Sequence, residues 1–196
     1  DLKGGGAEKL HVNLANYWTL KGYQVKFILL ENRGIFKKLL HRRIEIIDLK
    51  ISRMRKIFFK LPKIINNEKP QILLIAMWPL TSFSIISLFF IKKKFKIFIS
   101  DHVNLSKSIK YELKIYEIIP KILMHLTYRF ADGIIAVSKG VKYNLVKLSG
   151  LKPNKIKVIY NPVIVDMNKN SINLNLNIFN LWQRNYEYRI LSVGTL

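Results

Sequence analysis

QILLIAMWPLTSFSIISLFFI, residues 71–91, decides the fold: these 21 residues carry no charge, and the basic run Lys92-Lys93-Lys94 follows them. That length meets the requirement for a membrane-spanning helix. Trp78-Pro79, however, divides the run into a β-rich half, Ile72 to Met77, and a half with helical content, Leu80 to Ile91, each too short to cross a bilayer. A strand buried on both faces, followed by a helix packed on its sheet, has the same composition without lipid. The run is therefore read as strand and helix.

The same alternation extends in both directions. Upstream, Gly4-Gly5-Gly6 leads into an apolar stripe at Ala7, Leu10, Leu14, Tyr17 and Trp18 that stops at Gly22, the spacing of a helix. Strands follow at Tyr23 to Leu30 and Ile44 to Leu49, separated by the turn Asn32-Arg33-Gly34, and a basic helix runs from about Ser52 to Asn66. Downstream come a strand at Phe95 to Ser100, a polar loop at Asp101-His102-Val103-Asn104 and a long helix from Tyr111 to Phe130. A strand at Ile134 to Val137, a helix capped by Ser138 and stopped by Gly150, and a strand at Ile156 to Tyr160 complete the pattern. Strand–helix alternation of this kind predicts an α/β, Rossmann-like doubly wound parallel sheet with helices on both faces. In that fold a strand precedes the first glycine loop, and only Asp1-Leu2-Lys3 does so here, so the first strand is expected to be missing. The expected organisation is a Rossmann-like domain over residues 1–164, a variable Asn-rich linker over 165–188, and the opening of a second domain at 189–196.

Composition narrows the function classes. The net charge of +22 draws the chain to polyanions, either nucleic acid or an anionic membrane leaflet, although a bias toward Lys, Ile and Asn codons would produce the same excess without any selection for binding. Lysines outnumber arginines 26 to 8, which argues against specific nucleic-acid reading, because groove contacts favour the arginine fork. With no cysteine, disulfides, thiolate metal sites and thiol nucleophiles are excluded.

Ligands of a doubly wound sheet bind beyond the carboxyl ends of its strands. Gly4-Gly5-Gly6 suits close approach of a phosphate to backbone, with the free N–H groups of the following helix behind it. A plain flexible turn accounts for the glycines equally well, since neither dinucleotide nor ATP motifs are present. Glu8 falls in the first helical turn, where the dipole favours a carboxylate. Asp101-His102 follows a buried strand and projects at the crevice, where an imidazole could bond a sugar hydroxyl or polarise a reacting group. A solvated loop histidine is the plainer reading. His11, His41 and His125 lack carboxylates at metal-ligand spacing, and no metal is expected.

Gly5-Gly6-Ala7-Glu8-Lys9, Asn13-Leu14-Ala15 and Lys21-Gly22-Tyr23-Gln24-Val25 together resemble the GGAE(R/K)…NLA…(K/R)G(H/Y)xV opening of family 4 glycosyltransferases of the GT-B fold. Further agreement comes in the same order: Lys69-Pro70-Gln71-Ile72, Ile99 to His102, Ala131 to Ser138, Lys155 to Val163, and Ile190 to Leu196. The resemblance implies a retaining transferase that moves a sugar from a nucleotide diphosphate sugar to a glycan or lipid-linked acceptor, with no cofactor or required metal. It implies Gly5 and Gly6 at the donor diphosphate and His102 as the catalytic residue beside the donor sugar. It also implies a first, acceptor-side domain, peripheral on the cytoplasmic membrane face, with little or no transfer by this chain alone because the E-x7-E carboxylates are absent. Thr195 stands where a diphosphate-binding basic residue is associated with the VGRL motif. Phe58, Phe59 and Tyr116 among the lysines of the basic helices suit docking to an anionic leaflet. The alternative is a non-catalytic basic module that binds membrane or nucleic acid through charge.

Overall fold

The computed structural model describes residues 2–89, 91, 92, 94–108 and 118–162. Strands and helices alternate as α1 (Gly6–Leu20), β1 (Lys26–Leu29), β2 (Glu45–Asp48), α2 (Ile57–Glu68), β3 (Ile72–Ala76) and α3 (Leu80–Leu88). β4 (Lys96–Asp101), α4 (Leu105–Ser108), α5 (Ile118–Thr127), β5 (Gly133–Ala136), α6 (Lys139–Ser149) and β6 (Ile156–Val158) follow. All strand pairs are parallel.

The uncharged run at 71–91 folds as β3, a turn through Trp78-Pro79, and the nine-residue α3. No helix among the described residues is long and apolar enough to cross a membrane. Serine and threonine make a buried helix face possible here. Thr81 Oγ1 lies 2.9 Å from Tyr128 Oη, and Thr127 donates to Ser82 Oγ at 3.1 Å, so α3 joins the end of α5 through satisfied hydroxyls. Around them, Ile99, Met124, Tyr128, Ile57 and Ile156 are almost fully buried in one core.

The sheet is interrupted where the first strand, expected to be missing, would lie. The strands form a pair, β1–β2, and a four-stranded sheet in the order β3-β4-β5-β6. Doubly wound order would place a further strand between β1 and β3; among the described residues none lies there, and the side chains of Phe27, Ile28, Leu73 and Leu74 are only half buried. Other differences are local. The basic helix begins later than expected, at Ile57 after a 3-10 turn (Met54–Lys56), because Ile57, Leu61 and Ile65 are the stripe that reaches the core. Of the helix expected over 111–130, residues 111–117 lie outside the described residues, as do Tyr116, the linker at 165–188, the strand at 189–194 and Thr195. α5 ends in a 3-10 turn, Tyr128–Phe130. Ser138 caps α6 by accepting from the Val141 amide at 3.1 Å, and Gly150 takes the left-handed conformation that stops it.

A second cluster, Leu2, Val12 and Leu29, ties the approach to α1 onto β1. Leu2 donates its amide to Arg33 O at 2.9 Å and accepts from the Phe36 amide at 3.3 Å. This crossing requires Gly34: its φ is +122°, and a Cβ there would lie 2.1 Å from the Leu2 carbonyl. Gly34→Ala is expected to lower unfolding free energy by about 3 kcal/mol, from backbone strain plus displacement of the Leu2 crossing. Urea denaturation measures it, and an unchanged midpoint would show that the crossing is not a structural requirement.

Candidate functional site at the carboxyl ends of the strands

Three chain segments carry the site. At the start of α1, the amides of Gly4 and Gly5 donate to Glu8 Oε2 at 2.8 and 3.1 Å. Glu8 thus folds back over the glycines and answers the positive end of its own helix. The amides of Gly6 and Ala7 belong to the first turn and have no acceptor within the helix.

Parallel register brings the carboxyl ends of β3, β4 and β5 to one edge, with Ala76 opposite Ser100 and Asp101 opposite Ala136. Met77-Trp78, His102 and Val137-Ser138 leave the sheet there. Asp101 and His102, adjacent in sequence, go opposite ways, as strand alternation requires. The Asp101 carboxylate is buried. Its Oδ2 accepts from Tyr128 Oη at 2.8 Å, and it also accepts from the Trp78 amide. Burial pushes its pKa up to about 6 against the lowering effect of those two bonds. Asp101 therefore fastens the end of β4 to α3 and α5 and does not face the crevice.

His102 does face it. Its Nε2 lies 2.9 Å from Ser100 Oγ, and its ring meets that of His11 edge to face, with centroids 5.0 Å apart. His11 stands one helical turn after Ala7 and donates from Nδ1 to the Ala7 carbonyl at 2.7 Å. Burial lowers the His102 pKa to about 4, assisted by the charge of a protonated His11, and burial also lowers that of His11 against its bond to Ala7. Both rings are neutral at pH 7. Among the described residues, His11 Nε2, His102 Nδ1 and Trp78 Nε1 are buried without hydrogen-bond partners.

The ring contact thus brings the glycine-opened end of α1 together with His102. In the sequence His11 is one more helical histidine. Nothing local marks it, since its partner lies 91 positions away in the chain. The other histidines are used structurally: His125 Nδ1 ties α5 to Ser149 O at the end of α6 at 2.9 Å, and His41 Nδ1 accepts from the Arg43 amide at 3.2 Å. No group of three or more metal-ligating side chains occurs among the described residues. A shallow cavity of about 240 Å³ between α5 and α6, lined by Ile118, Ile122, His125, Leu148 and Gly150, opens beside the C-terminus of α6. Helices returning from the carboxyl ends of parallel strands finish at the opposite edge of the sheet, so this cavity is separate from the histidine site.

The family model for Glycosyltransferase Family 4 matches residues 4–166. The chain belongs to glycosyltransferase family 4. No curated protein matches it. Solved structures of the Anabaena protein Alr3699/HepE are similar in fold. The complex with UDP-glucose has a TM-score of 0.61 at 20% identity, and that with UDP 0.61 at 21%. The complex with UDP and glucose has a TM-score of 0.60 at 20% identity. Each comparison covers 82% of this chain and 42% of the Anabaena chain. The fold of this family 4 chain is accordingly the Rossmann-like α/β arrangement of a GT-B domain.

Asp101 gives the family 4 unit a characteristic pH response. A folded-state pKa of about 6 against an ordinary 3.8 means that the folded chain binds more protons between those values, so this contribution to stability is present in acid and lost as pH rises through about 6. The lowered pKa values of His11 and His102 act in the opposite sense, their contribution falling away as pH drops below 6.5. Comparison with Asp101→Asn isolates the carboxyl. The stability of the native chain minus that of the variant is expected to fall by about 2 kcal/mol from pH 4 to pH 7. Urea midpoints at the two pH values measure it; parallel curves would show that Asp101 is not desolvated.

Proposed function

We propose that this chain is the first half of a retaining glycosyltransferase, which moves a sugar from a nucleotide diphosphate sugar to a hydroxyl of a glycan or lipid-linked acceptor. One observation carries the reading: the 5.0 Å contact of His11 with His102 joins the glycine-opened helix end to a histidine at the strand ends. In the reaction, the bond from the sugar C1 to the diphosphate oxygen breaks and a bond from C1 to the acceptor oxygen forms. Positive charge develops on the sugar and negative charge on the departing diphosphate. Amides at a helix N-terminus, fixed before the reaction, stabilise that negative charge without reorganising. Gly5 and Gly6 are the assigned diphosphate contacts. Because Glu8 already accepts from Gly4 and Gly5, the Gly6 and Ala7 amides are the readier donors, and full engagement of Gly5 requires Glu8 to swing away. His102 is assigned to the donor sugar as the catalytic residue, acting as a neutral hydrogen-bonding group. No cofactor or metal is invoked.

The 42% coverage of the Anabaena structures supports a cleft completed by a second domain, with little transfer from this chain by itself. UDP-glucose, named with one of those structures, is the first donor to try. In the complete enzyme His102→Ala is expected to lower kcat at least a hundredfold with an unchanged urea midpoint. Retention of turnover would remove His102 from the mechanism.

Peripheral docking to an anionic leaflet completes the proposal. α5 buries only the stripe Pro120, Met124 and Thr127, and leaves Ile118, Ile119, Ile122 and Leu126 exposed beside Lys121 and Arg129. Phe59 on α2 is exposed as the docking reading requires, whereas Phe58 turns inward and meets Phe83 edge to face at 5.8 Å, so it is withdrawn from that surface. Apolar side chains set among lysines match a negatively charged interface. Binding to vesicles containing phosphatidylserine is expected to exceed binding to phosphatidylcholine vesicles at least tenfold, to weaken with salt, and to be lost in Ile122→Glu. Equal binding to both vesicles would refute electrostatic docking.

A further inference from the structure

A working imidazole needs its plane fixed as well as its place, and the χ2 torsion that turns a histidine ring is broad and holds no single angle by itself. The backbone supplies the place of His102, because Asp101 before it is held inward by Tyr128 at 2.8 Å. Ser100 Oγ, 2.9 Å from Nε2, restrains one point of the ring. A single hydrogen bond still lets a ring tilt about that point, so a second contact decides the plane. The ring of His11 supplies it, edge to face at 67° with centroids 5.0 Å apart, inside the range of favourable aromatic pairs.

His11 is the fixed member of the pair. Its Nδ1 donates to the Ala7 carbonyl one turn back at 2.7 Å, which sets its own ring plane. The next residue, Val12, is completely buried in the cluster with Leu2 and Leu29, so the backbone beneath the ring is anchored. Among the described residues Nε2 of His11 has no hydrogen-bond partner, and what His11 offers to the loop after β4 is the ring itself. Both rings are neutral at pH 7, so no like-charge repulsion parts them. We propose that His11 is a positioning residue for the transfer: it touches no substrate, and it holds the His102 ring in one orientation at the crevice before the donor arrives. The inference rests on the assignment of His102 above, and adds that α1 serves the site through a side chain as well as through its helix end.

Variants of the complete enzyme, assayed with UDP-glucose as donor, test this. His11→Ala is expected to lower kcat about tenfold while the KM for UDP-glucose stays within about twofold of native. His11→Phe, which keeps an aromatic ring against His102, is expected to hold kcat within about twofold of native. In a His102→Ala background the His11→Ala change is expected to cost nothing further, because a residue that acts through His102 then has nothing to position. Native kcat in His11→Ala, a loss that His11→Phe does not recover, or a further loss in the His102→Ala background would each overturn the proposal. Where His11→Ala lowers the urea midpoint, His11→Leu, which fills the space without a flat ring, takes its place with the same expectations. A second reading needs no reaction: NOEs between the ring protons of His11 and His102 are expected in the native chain without ligand, and their absence would overturn the contact and the proposal with it. Native turnover in His102→Ala would remove the assignment of His102 and the positioning role together, whereas a loss in His102→Ala with none in His11→Ala removes the positioning role alone.

Discussion

The carboxyl group of Asp101, buried against the Tyr128 hydroxyl at 2.8 Å, is the constraint on which the site depends. Tyr128 is fully buried, and its hydroxyl also meets Thr81, so one small polar network fastens the end of β4 to α3 and to the turn after α5. Burial of a carboxyl is costly unless it is bonded, and here every partner comes from a different element. Strand alternation does the rest. With Asp101 held inward, the next side chain must leave toward the crevice, and that side chain is His102.

A parallel constraint acts on the other wall. Leu2 crosses beneath Gly34, which fixes how the chain enters Gly4-Gly5-Gly6 and α1, and α1 in turn carries His11 to His102. Two anchors that use no functional residue thus set the distance between the helix end and the histidine. The helix end is not a bare anion site, because Glu8 occupies two of its amides. A departing diphosphate must share or displace that carboxylate, so the electrostatic help at this point is smaller than three glycines alone suggest.

Much of the architecture was legible in the residues because it is local. Periodicity located each strand of the described residues, Trp78-Pro79 divided the uncharged run correctly, and Ser138 and Gly150 marked the ends of α6 through capping chemistry that operates within a few residues. What could not be read was tertiary. The inward turn of Asp101 depends on Tyr128, 27 positions later, and the importance of His11 depends on a loop that periodicity could place but could not bring into contact. Phe58 and Phe59 make the same point: both sit among lysines, and only packing against Phe83 separates the core residue from the exposed one.

The most direct measurement is a crystal structure of the protein grown with UDP-glucose. The account requires the diphosphate within hydrogen-bonding distance of the Gly6 or Ala7 amide and the donor sugar beside His102. A nucleotide sugar seated in the α5–α6 cavity, away from α1 and His102, would contradict it.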